Sequence, residues 1–263
     1  MLRIDLITLF PEALVKPLES SLLGRGKADK LFDINIIHLR DFATDKHSTV
    51  DDTPFGGGGG MVLKPEPLAA AMDSLGIDYD NFDRDKIKII LTAASGKKFS
   101  QETAMKLSLL ERLVIICGHY KGIDERILRL YPIDEISIGD YVLTGGEPAA
   151  WVIIDAAVRL IPGVVGNIES AISDSFTNDQ LLGAPVYTRP AEFRGLTIPE
   201  ELMSGHHAEI EMYRRRQSLK KTMANRPELI DKADLSKEDK EFLKKINNEF
   251  IEGSGSDEKN RPD

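Results

Sequence analysis

The first two thirds of the sequence alternate short apolar runs with segments of helical periodicity. The apolar runs are rich in β-branched residues and have the length of strands, at Arg3–Phe10, Ile34–Leu39, Ile87–Thr92, Leu113–Cys117 and Glu135–Ile138. Helical patterns lie between them, at Pro65–Leu75, Ser100–Glu111, Ile123–Leu130 and Pro148–Leu160. Strands that alternate with helices form parallel sheets whose faces the helices cover. The pattern therefore predicts an α/β domain built on a parallel sheet.

The pattern changes after Pro162. The stretch that follows, 163–178, is rich in Gly, Ser and Asn, which is typical of a linker. Helical patterns return at His207–Asn225, Glu228–Lys232 and Lys237–Ile251, and Ser236 with Asp239 predicts a cap for the last of them. We therefore expect four segments: an α/β domain over residues 1–162, a flexible linker over 163–177, a small helical C-terminal domain over 178–251, and a disordered tail over 252–263.

Composition excludes several classes of protein. With 41% hydrophobic and 29% charged residues among 263, the chain has the balance of a soluble globular protein. Its apolar runs are too short for a membrane helix, and its first residues lack the pattern of a signal peptide. The single cysteine, Cys117, cannot form an internal disulfide. We expect a cytoplasmic protein without a membrane partner.

Charge is distributed unevenly along the chain. The net charge of −9 argues against a non-specific polyanion binder, yet basic residues concentrate between His206 and Arg226. This segment is either a solvated helix face or a local contact for nucleic acid, and His206 with His207 fits a helix start better than a metal site. The candidate RNA-binding residues are Arg214, Arg215, Lys220 and Lys221.

Three loops rich in small residues each follow a predicted strand: Thr92–Gly96, Gly118–Gly122 and Gly139–Gly146. Ligands of open α/β sheets bind beyond the carboxyl ends of the strands, so these loops predict one slot for a flat heterocycle. Three ordinary turns are the alternative. The five-glycine run within Phe55–Met61 lacks the Gly-Lys-Ser/Thr ending of a P-loop, and is either a surface hinge or a loop that closes over a ligand.

Several longer blocks resemble one enzyme family. They are Asp51–Met61, Cys117–Arg126, Ile136–Glu147, Arg159–Val164, Ser173–Phe176, Tyr187–Pro190 and Ser204–Ile210. In this order, over roughly residues 1–232, they resemble the bacterial tRNA (guanine-N1)-methyltransferases, the TrmD family of the SPOUT superfamily. The resemblance implies a parallel-sheet trefoil-knot methyltransferase domain followed by a small helical C-terminal domain.

The resemblance also implies an activity. The family transfers a methyl group from S-adenosylmethionine to N1 of guanine 37, next to the anticodon of tRNA. Its members are homodimers whose active sites lie at the subunit interface. Two alternatives stay open here: a knotted RNA methyltransferase that acts on a ribose 2′-hydroxyl or another base position, and a non-catalytic RNA-binding protein. The second would be expected to have lost Asp174 or Arg159, and both are present.

Site residues are assigned by matching the family's motifs. Asp174 matches the general base that removes the N1 proton, and Arg159 matches the residue that stabilises negative charge at O6. Without the resemblance, Asp174 would be a solvated turn residue and Arg159 a helix-terminal arginine that binds carbonyls. The donor-binding residues implied are Ala93, Ala94, Gly118, Tyr120, Gly122, Ser137, Ile138, Gly139, Asp140, Tyr141, Val142, Leu143, Gly145 and Gly146.

The sequence departs from the family at three of these loop positions. Lys121 stands where relatives often have an acid, His119 where they often have Arg, and Ala94 where they often have Pro. A role of that acid with a magnesium ion is therefore in doubt, so Mg²⁺ stays an open cofactor. No metal site formed by protein side chains is predicted.

Overall fold

The computed structural model describes residues 1–166, 174–177 and 181–257. The chain divides into two compact units, Met1–Ile168 and Glu169–Asp263. The division falls within the stretch expected to be a linker, of which residues 167–173 lie outside the described part. The extents of the predicted linker, C-terminal domain and tail remain predictions.

A parallel sheet forms the centre of the first unit. In chain order, the strands of this unit are β1 (Leu2–Thr8), β2 (Phe32–His38), β3 (Asp51–Asp52), β4 (Val62–Leu63), β5 (Ile87–Lys98), β6 (Arg112–Cys117) and β7 (Asp134–Ser137). Five of them pair in parallel in the order β2-β1-β6-β5-β7, while β3 and β4 form a separate antiparallel pair. The five predicted strands and the parallel sheet are confirmed.

Six helices of the first unit accompany the sheet: α1 (Glu12–Leu18), α2 (Ser21–Ala28), α3 (Pro65–Asp73), α4 (Gln101–Ser108), α5 (Glu125–Leu130) and α6 (Glu147–Val158). The last four are the predicted helices, and Ser100 caps α4 by accepting a hydrogen bond from the Thr103 amide. The sequence patterns did not predict α1 and α2. Pro17 lies inside α1 and two glycines lie inside α2, and these residues weaken the helical signal.

Hydrophobic cores lie on both faces of the sheet. In β6, the buried side chains of Leu113, Ile115 and Cys117 face one core, which also contains residues of α1, α2, α4 and α6. Val114 and Ile116 alternate with them and face the second core, together with residues of α3 and α5. Because both faces of β6 are covered, its sequence is an almost unbroken apolar run.

A polar network ties the strands together in the amino-terminal half of the sheet. The Asp5 carboxylate on β1 is fully buried and accepts hydrogen bonds from Arg112 Nε at 2.7 Å and Asn35 Nδ2 at 2.8 Å. Arg3 contacts the same carboxylate at 3.1 Å. Arg112 also donates to the Leu75 carbonyl at 3.0 Å. A buried charge is tolerated here because it is both paired and hydrogen-bonded.

The described part of the second unit contains a short hairpin, two α-helices and two short 3-10 helices, Glu200–Leu202 and Pro227–Lys232, the second of which lies at the predicted helix Glu228–Lys232. The hairpin pairs β8 (Glu192–Phe193) with β9 (Leu196–Thr197), and the helices are α7 (His207–Asn225) and α8 (Lys237–Asp257). The predicted bounds of α7 match, whereas α8 continues past its predicted end at Ile251. Ser236 and Asp239 form the predicted cap, with two reciprocal hydrogen bonds of 3.1 Å. Throughout the described ranges, no helix is long and apolar enough to span a membrane.

Candidate active site

A cavity of about 480 Å³ lies at the carboxyl ends of β5, β6 and β7. The loops that follow or interrupt these strands form its walls, as the sequence predicted. Its volume falls within the range of about 300–1,000 Å³ that is common for small-molecule sites. The carboxyl edge of a parallel sheet is also where ligands of open α/β folds bind. This cavity is therefore the candidate active site of the first unit.

The first wall is a loop inside β5. Thr92 and Lys97 both pair with Ile136 of β7, so the residues between them leave the ladder and then rejoin it. Ala93, Ala94 and Ser95 reach the cavity from this excursion. The sequence predicted that the strand ends at Thr92. The structure corrects that boundary, because the strand continues on the far side of the loop to Lys98.

The second wall, Gly118–Gly122, and the third wall, Gly139–Gly146, are joined to each other by backbone contacts and to the first wall by the Thr92 side chain. The Gly146 amide donates to the Gly118 carbonyl at 2.7 Å, and His119 forms an isolated antiparallel bridge with Gly145. The Gly118 amide donates to Thr92 Oγ1 at 3.3 Å. A Cβ on Gly146 would lie 2.0 Å from the same hydroxyl oxygen, so only glycine permits this approach.

Exposed apolar side chains surround the opening of the cavity. Tyr120, Tyr141, Val142 and Leu143 all line it and are all substantially exposed, Val142 by 87%. Tyr120 has a φ of 58°, a left-handed conformation that is uncommon for an aromatic residue. Such residues cluster at functional sites, where the surrounding structure holds them. The arrangement suits a flat ring placed between apolar walls.

The predicted donor-binding residues converge on this cavity, with one exception. Asp140 does not line it, and instead forms an ion pair of 2.8 Å with Lys98. The residues that do line it are Ala93, Ala94, Gly118, Tyr120, Gly122, Ser137, Ile138, Gly139, Tyr141, Val142, Leu143, Gly145 and Gly146. Their role in donor binding remains a prediction.

Sequence reasoning did not select several charged residues near the cavity. Lys121, Glu125 and Glu135 line it, and the first of these was noted only as a departure from the family. Glu147 lies just beneath: its buried carboxylate accepts a hydrogen bond of 2.6 Å from Thr8. The sequence signal that could have indicated Glu147 is its position at a helix start, directly after two adjacent glycines.

Cys117 has a structural role next to this carboxylate. Burial raises the pKa of the Cys117 thiol well above its ordinary value, and the negative charge of Glu147 raises the same pKa further. The thiol is therefore protonated at neutral pH. A protonated, buried thiol is a poor nucleophile and a poor metal ligand.

Comparison with known proteins identifies the family. The profile described as "tRNA (Guanine-1)-methyltransferase TrmD" matches residues 2–232. The chain belongs to this family. A Brevibacillus brevis protein named "tRNA (guanine-N(1)-)-methyltransferase" is 51% identical over 94% of this chain and 99% of its own length. Proteins of the same name from Pelotomaculum thermopropionicum and Dehalococcoides mccartyi are 49% and 50% identical over 93% of this chain, and over 96% and 97% of their own lengths. The predicted resemblance and the methyltransferase class of enzyme are confirmed.

The TrmD-like arginine, Arg159, lies away from the cavity of its own chain. It directly follows α6, whose first residue adjoins Gly146 at the cavity. The helix has 12 residues, so at about 1.5 Å per residue its two ends are about 18 Å apart. Arg159 is half-buried at that far end. Within one chain, the structure does not bring Arg159 to the candidate active site.

The TrmD-like aspartate, Asp174, belongs to the second unit. It is exposed and begins a short described turn that ends at Thr177. The next residues attach this turn to the unit: Ser175 Oγ accepts a hydrogen bond of 2.9 Å from the Gly183 amide, and the Phe176 amide donates to the Leu181 carbonyl at 2.8 Å. Ser173 of the same motif lies outside the described residues.

The predicted RNA-binding residues all lie on α7. Arg214, Lys220 and Lys221 are exposed. The Lys220 ammonium lies 5.8 Å from the centre of the Phe242 ring, and Lys221 donates to the Gly183 carbonyl at 3.3 Å. These three side chains thus present positive charge to solvent.

Arg215 differs from its neighbours on α7. Its guanidinium contacts the Asp239 carboxylate through Nη2 at 2.8 Å and Nε at 3.2 Å, which joins α7 to α8. Burial raises the pKa of Asp239, but hydrogen bonds from Arg215 and Ser236 outweigh burial and bring that pKa below its ordinary value. Arg215 therefore has a structural partner that the sequence did not reveal.

The residues present do not form a magnesium site. In the described ranges, no group of three or more His, Cys, Asp or Glu side chains is placed to hold a metal ion. At the cavity, the position where relatives often have an acid carries the ammonium group of Lys121. We therefore derive no step of the reaction through a metal ion.

Proposed function

We propose that this enzyme transfers a methyl group from S-adenosylmethionine to N1 of guanine 37, next to the anticodon of tRNA. Membership of the TrmD family supports this reaction. The observation that carries the proposal is that all three predicted loops meet around one cavity at the carboxyl edge of the sheet. The knotted chain path that the family resemblance implies is part of the same proposal.

The cavity fits the methyl donor in size and in chemistry. Its apolar walls suit an adenine ring, and glycines such as Gly118 and Gly146 allow backbone atoms to approach a ligand closely. Ile138 to Leu143 supply the third wall, except for Asp140. When bound, S-adenosylmethionine supplies a methyl group on a positively charged sulfur. The enzyme's own task is to hold the two reactants in line, which contributes much of the rate in such reactions.

The nucleobase must lose a proton for this reaction. Guanine N1 carries a hydrogen at neutral pH and is a poor nucleophile while it does. We assign Asp174 as the general base that accepts this proton, and Arg159 as the cation that stabilises the negative charge left on N1 and O6. Because Asp174 lies on an exposed turn, tRNA is able to reach it.

We also propose that the enzyme is a homodimer with shared active sites. Arg159 lies about 18 Å from the cavity end of its own helix, so a second copy is the natural source of the arginine that acts there. Trp151 and Val152 on the same helix are each 41% exposed. Tryptophan is enriched at the centres of protein interfaces, which supports α6 as the dimer contact.

The basic residues of α7 fit a contact with the tRNA backbone. Arg214, Lys220 and Lys221 would bind phosphates without reading sequence, and thereby position the RNA. Arg215 remains a candidate for the same contact with RNA. Since it already binds Asp239, its replacement would loosen the packing of α7 against α8 as well as any RNA contact.

The reaction is tested with labelled S-adenosylmethionine, the purified enzyme and tRNA transcripts. Label should appear in 1-methylguanosine, and should disappear when guanosine 37 of the transcript is replaced by another nucleoside. Label in a 2′-O-methylated nucleoside or at another base position would instead establish the alternative methyltransferase reaction. Tight tRNA binding without any transfer of label would establish a non-catalytic RNA-binding protein. Sedimentation of the active species as a monomer would contradict the shared site.

A further inference from the structure

Lys121 is held between the cavity and the glycine-rich segment, which we define as residues 56–60. Its backbone amide donates to the Met61 carbonyl at 3.0 Å, directly after that segment. The next amide, of Gly122, donates to the His119 carbonyl at 2.9 Å and closes the turn after β6. These two hydrogen bonds fix the backbone of Lys121 at the point where the turn after β6 contacts the glycine-rich segment.

The side chain of Lys121 lies along the glycine-rich segment. A Cβ on Gly60 would be 3.2 Å from both Cγ and Cε of the lysine, and a Cβ on Gly58 would be 3.4 Å from its Nζ. Gly60 has a φ of 96°, which disfavours any other residue. The missing side chains thus leave room for the aliphatic part of the lysine. As a result, the ammonium group lies near Gly58, while Lys121 itself is one of the residues that line the cavity.

Lys121 contributes a positive charge to a cavity that otherwise has acidic groups. Glu125 and Glu135 also line the cavity, and Glu135 accepts a hydrogen bond of 3.0 Å from Ser95. Among the residues that the structure describes, no carboxylate forms an ion pair with Lys121, whereas Lys98 nearby is paired with Asp140. A cation that lines a ligand cavity and forms no ion pair with the described carboxylates is suited to bind an anion from the ligand.

We propose that Lys121 binds an anionic group of a bound substrate at the edge of the cavity. The group is either the carboxylate of the methionine part of the methyl donor or a phosphate of the RNA, since both are oxyanions of similar size. This inference rests on the proposed methyl transfer to tRNA. It assigns a role in substrate binding to Lys121, which is not among the predicted site residues.

The test replaces Lys121 by Met, which keeps an unbranched side chain against Gly60 and removes the charge. Lys121→Arg should restore binding, and Lys121→Gln is a second neutral variant in case the first does not fold. The matched control is Lys106→Met on α4, where the exposed lysine pairs with Glu102 and does not line the cavity. Circular dichroism and the unfolding midpoint establish that each variant is folded.

Two measurements separate the two sources of the anion. The first is calorimetry without RNA, which gives the Kd of S-adenosylhomocysteine and the Kd of methylthioadenosine. Only S-adenosylhomocysteine has a carboxylate. If Lys121 binds the donor, its loss raises the Kd of S-adenosylhomocysteine by about tenfold or more. The Kd of methylthioadenosine then stays unchanged. The second is the KM for tRNA across a series of salt concentrations. If Lys121 binds RNA, the KM rises and the slope of log KM against log salt falls by about 0.7.

The inference is overturned if both neutral variants at Lys121 match Lys106→Met in both Kd values, in the KM for tRNA and in its salt slope. That result, obtained with an active parent enzyme, would leave the proposed function intact. If instead the parent enzyme forms no 1-methylguanosine, the proposed function fails. The comparison of S-adenosylhomocysteine with methylthioadenosine would then still show whether Lys121 binds a carboxylate.

Discussion

In the amino-terminal half of the sheet, a buried carboxylate links neighbouring strands in addition to the backbone ladder, whereas at the carboxyl end glycines let the backbones of two loops contact each other directly. The buried Asp5 carboxylate joins β1 to β6 and β2 through Arg112 and Asn35. At the other end, Gly146 binds Gly118 through backbone atoms alone.

The difference shows how one sheet combines stability with binding. At one end, a charged side chain is fully buried and its hydrogen bonds are made within the protein. Glycines at the other end bring the backbones together and leave a cavity above them. We therefore expect substitutions at the carboxyl end to change ligand affinity, and substitutions in the amino-terminal network to change stability alone.

The largest expected effect is on the rate of methyl transfer, and the substituted residue belongs to the second unit and not to the sheet. Asp174→Ala should lower the rate of methyl transfer by about 10²–10⁴-fold, because the N1 proton loses its acceptor. The Kd of S-adenosylhomocysteine should stay unchanged, since the cavity alone binds it. Single-turnover rates and calorimetry measure the two quantities. Asp231→Ala, another exposed aspartate of the second unit, is the control. A rate near that of the parent would reject Asp174 as the base.

The next effect tests the carboxyl end. Gly146→Ala places a methyl group about 2 Å from Thr92 Oγ1 and forces the three loops apart. We expect the Kd of S-adenosylhomocysteine to rise by at least about tenfold, because overpacking costs about 1–3 kcal/mol and about 1.4 kcal/mol corresponds to tenfold in Kd. Gly166→Ala is the control, since among the described residues no atom beyond its chain neighbours lies within 4 Å of the added methyl group. Unchanged affinity in Gly146→Ala would refute the proposed donor site.

The third effect tests the polar network. Arg112→Met removes the closest partner of a fully buried carboxylate, so the free energy of unfolding should fall by about 3 kcal/mol or more. Chemical denaturation measures this loss. Lys86→Met breaks an exposed pair with Glu111 and should cost less than about 1 kcal/mol. If Arg112→Met weakened S-adenosylhomocysteine binding at a temperature where it is folded, the proposed separation of the two ends would be wrong.

The smallest effect is on alkaline stability. Burial raises the pKa of Tyr79 to about 12, and the Asp73 carboxylate contributes to this rise. Because the unfolded value is about 10, the stabilisation is fully present below about pH 10 and is lost as the pH rises through the folded pKa. Tyr79→Phe should therefore flatten the decline of the unfolding midpoint between these values. A decline as steep as in the parent would exclude Tyr79 as its source.

The sequence predicted those parts of the fold whose pattern is local. The β6 run from Leu113 to Cys117 is apolar on both faces, so its place in a covered sheet was readable directly. The helices α1 and α2 were missed because Pro17 and the glycines of α2 conceal their periodicity, and packing against the sheet overrides that weakness. Likewise, no local pattern shows that β5 resumes after its loop, because the pairing with β7 decides this.

The candidate site was predictable in outline from three small-residue loops that follow neighbouring strands. The roles proposed for Asp174 and Arg159 were not, because nothing in their local sequence distinguishes a base from a turn residue or a catalytic cation from a helix-end arginine. They depend on the family resemblance. The pairing of Arg215 with Asp239 was also hidden, since it joins two helices through contacts that no spacing rule reveals.

The excursion within β5 ties one wall of the cavity to the edge strand β7. Thr92 and Lys97 both pair with Ile136, so the loop between them leaves and rejoins the sheet at the same residue. The places of Ala93, Ala94 and Ser95 in the cavity wall therefore depend on the pairing of β5 with β7. A substitution on β7 that disturbs Ile136 would reach this wall through both ends of the loop at once.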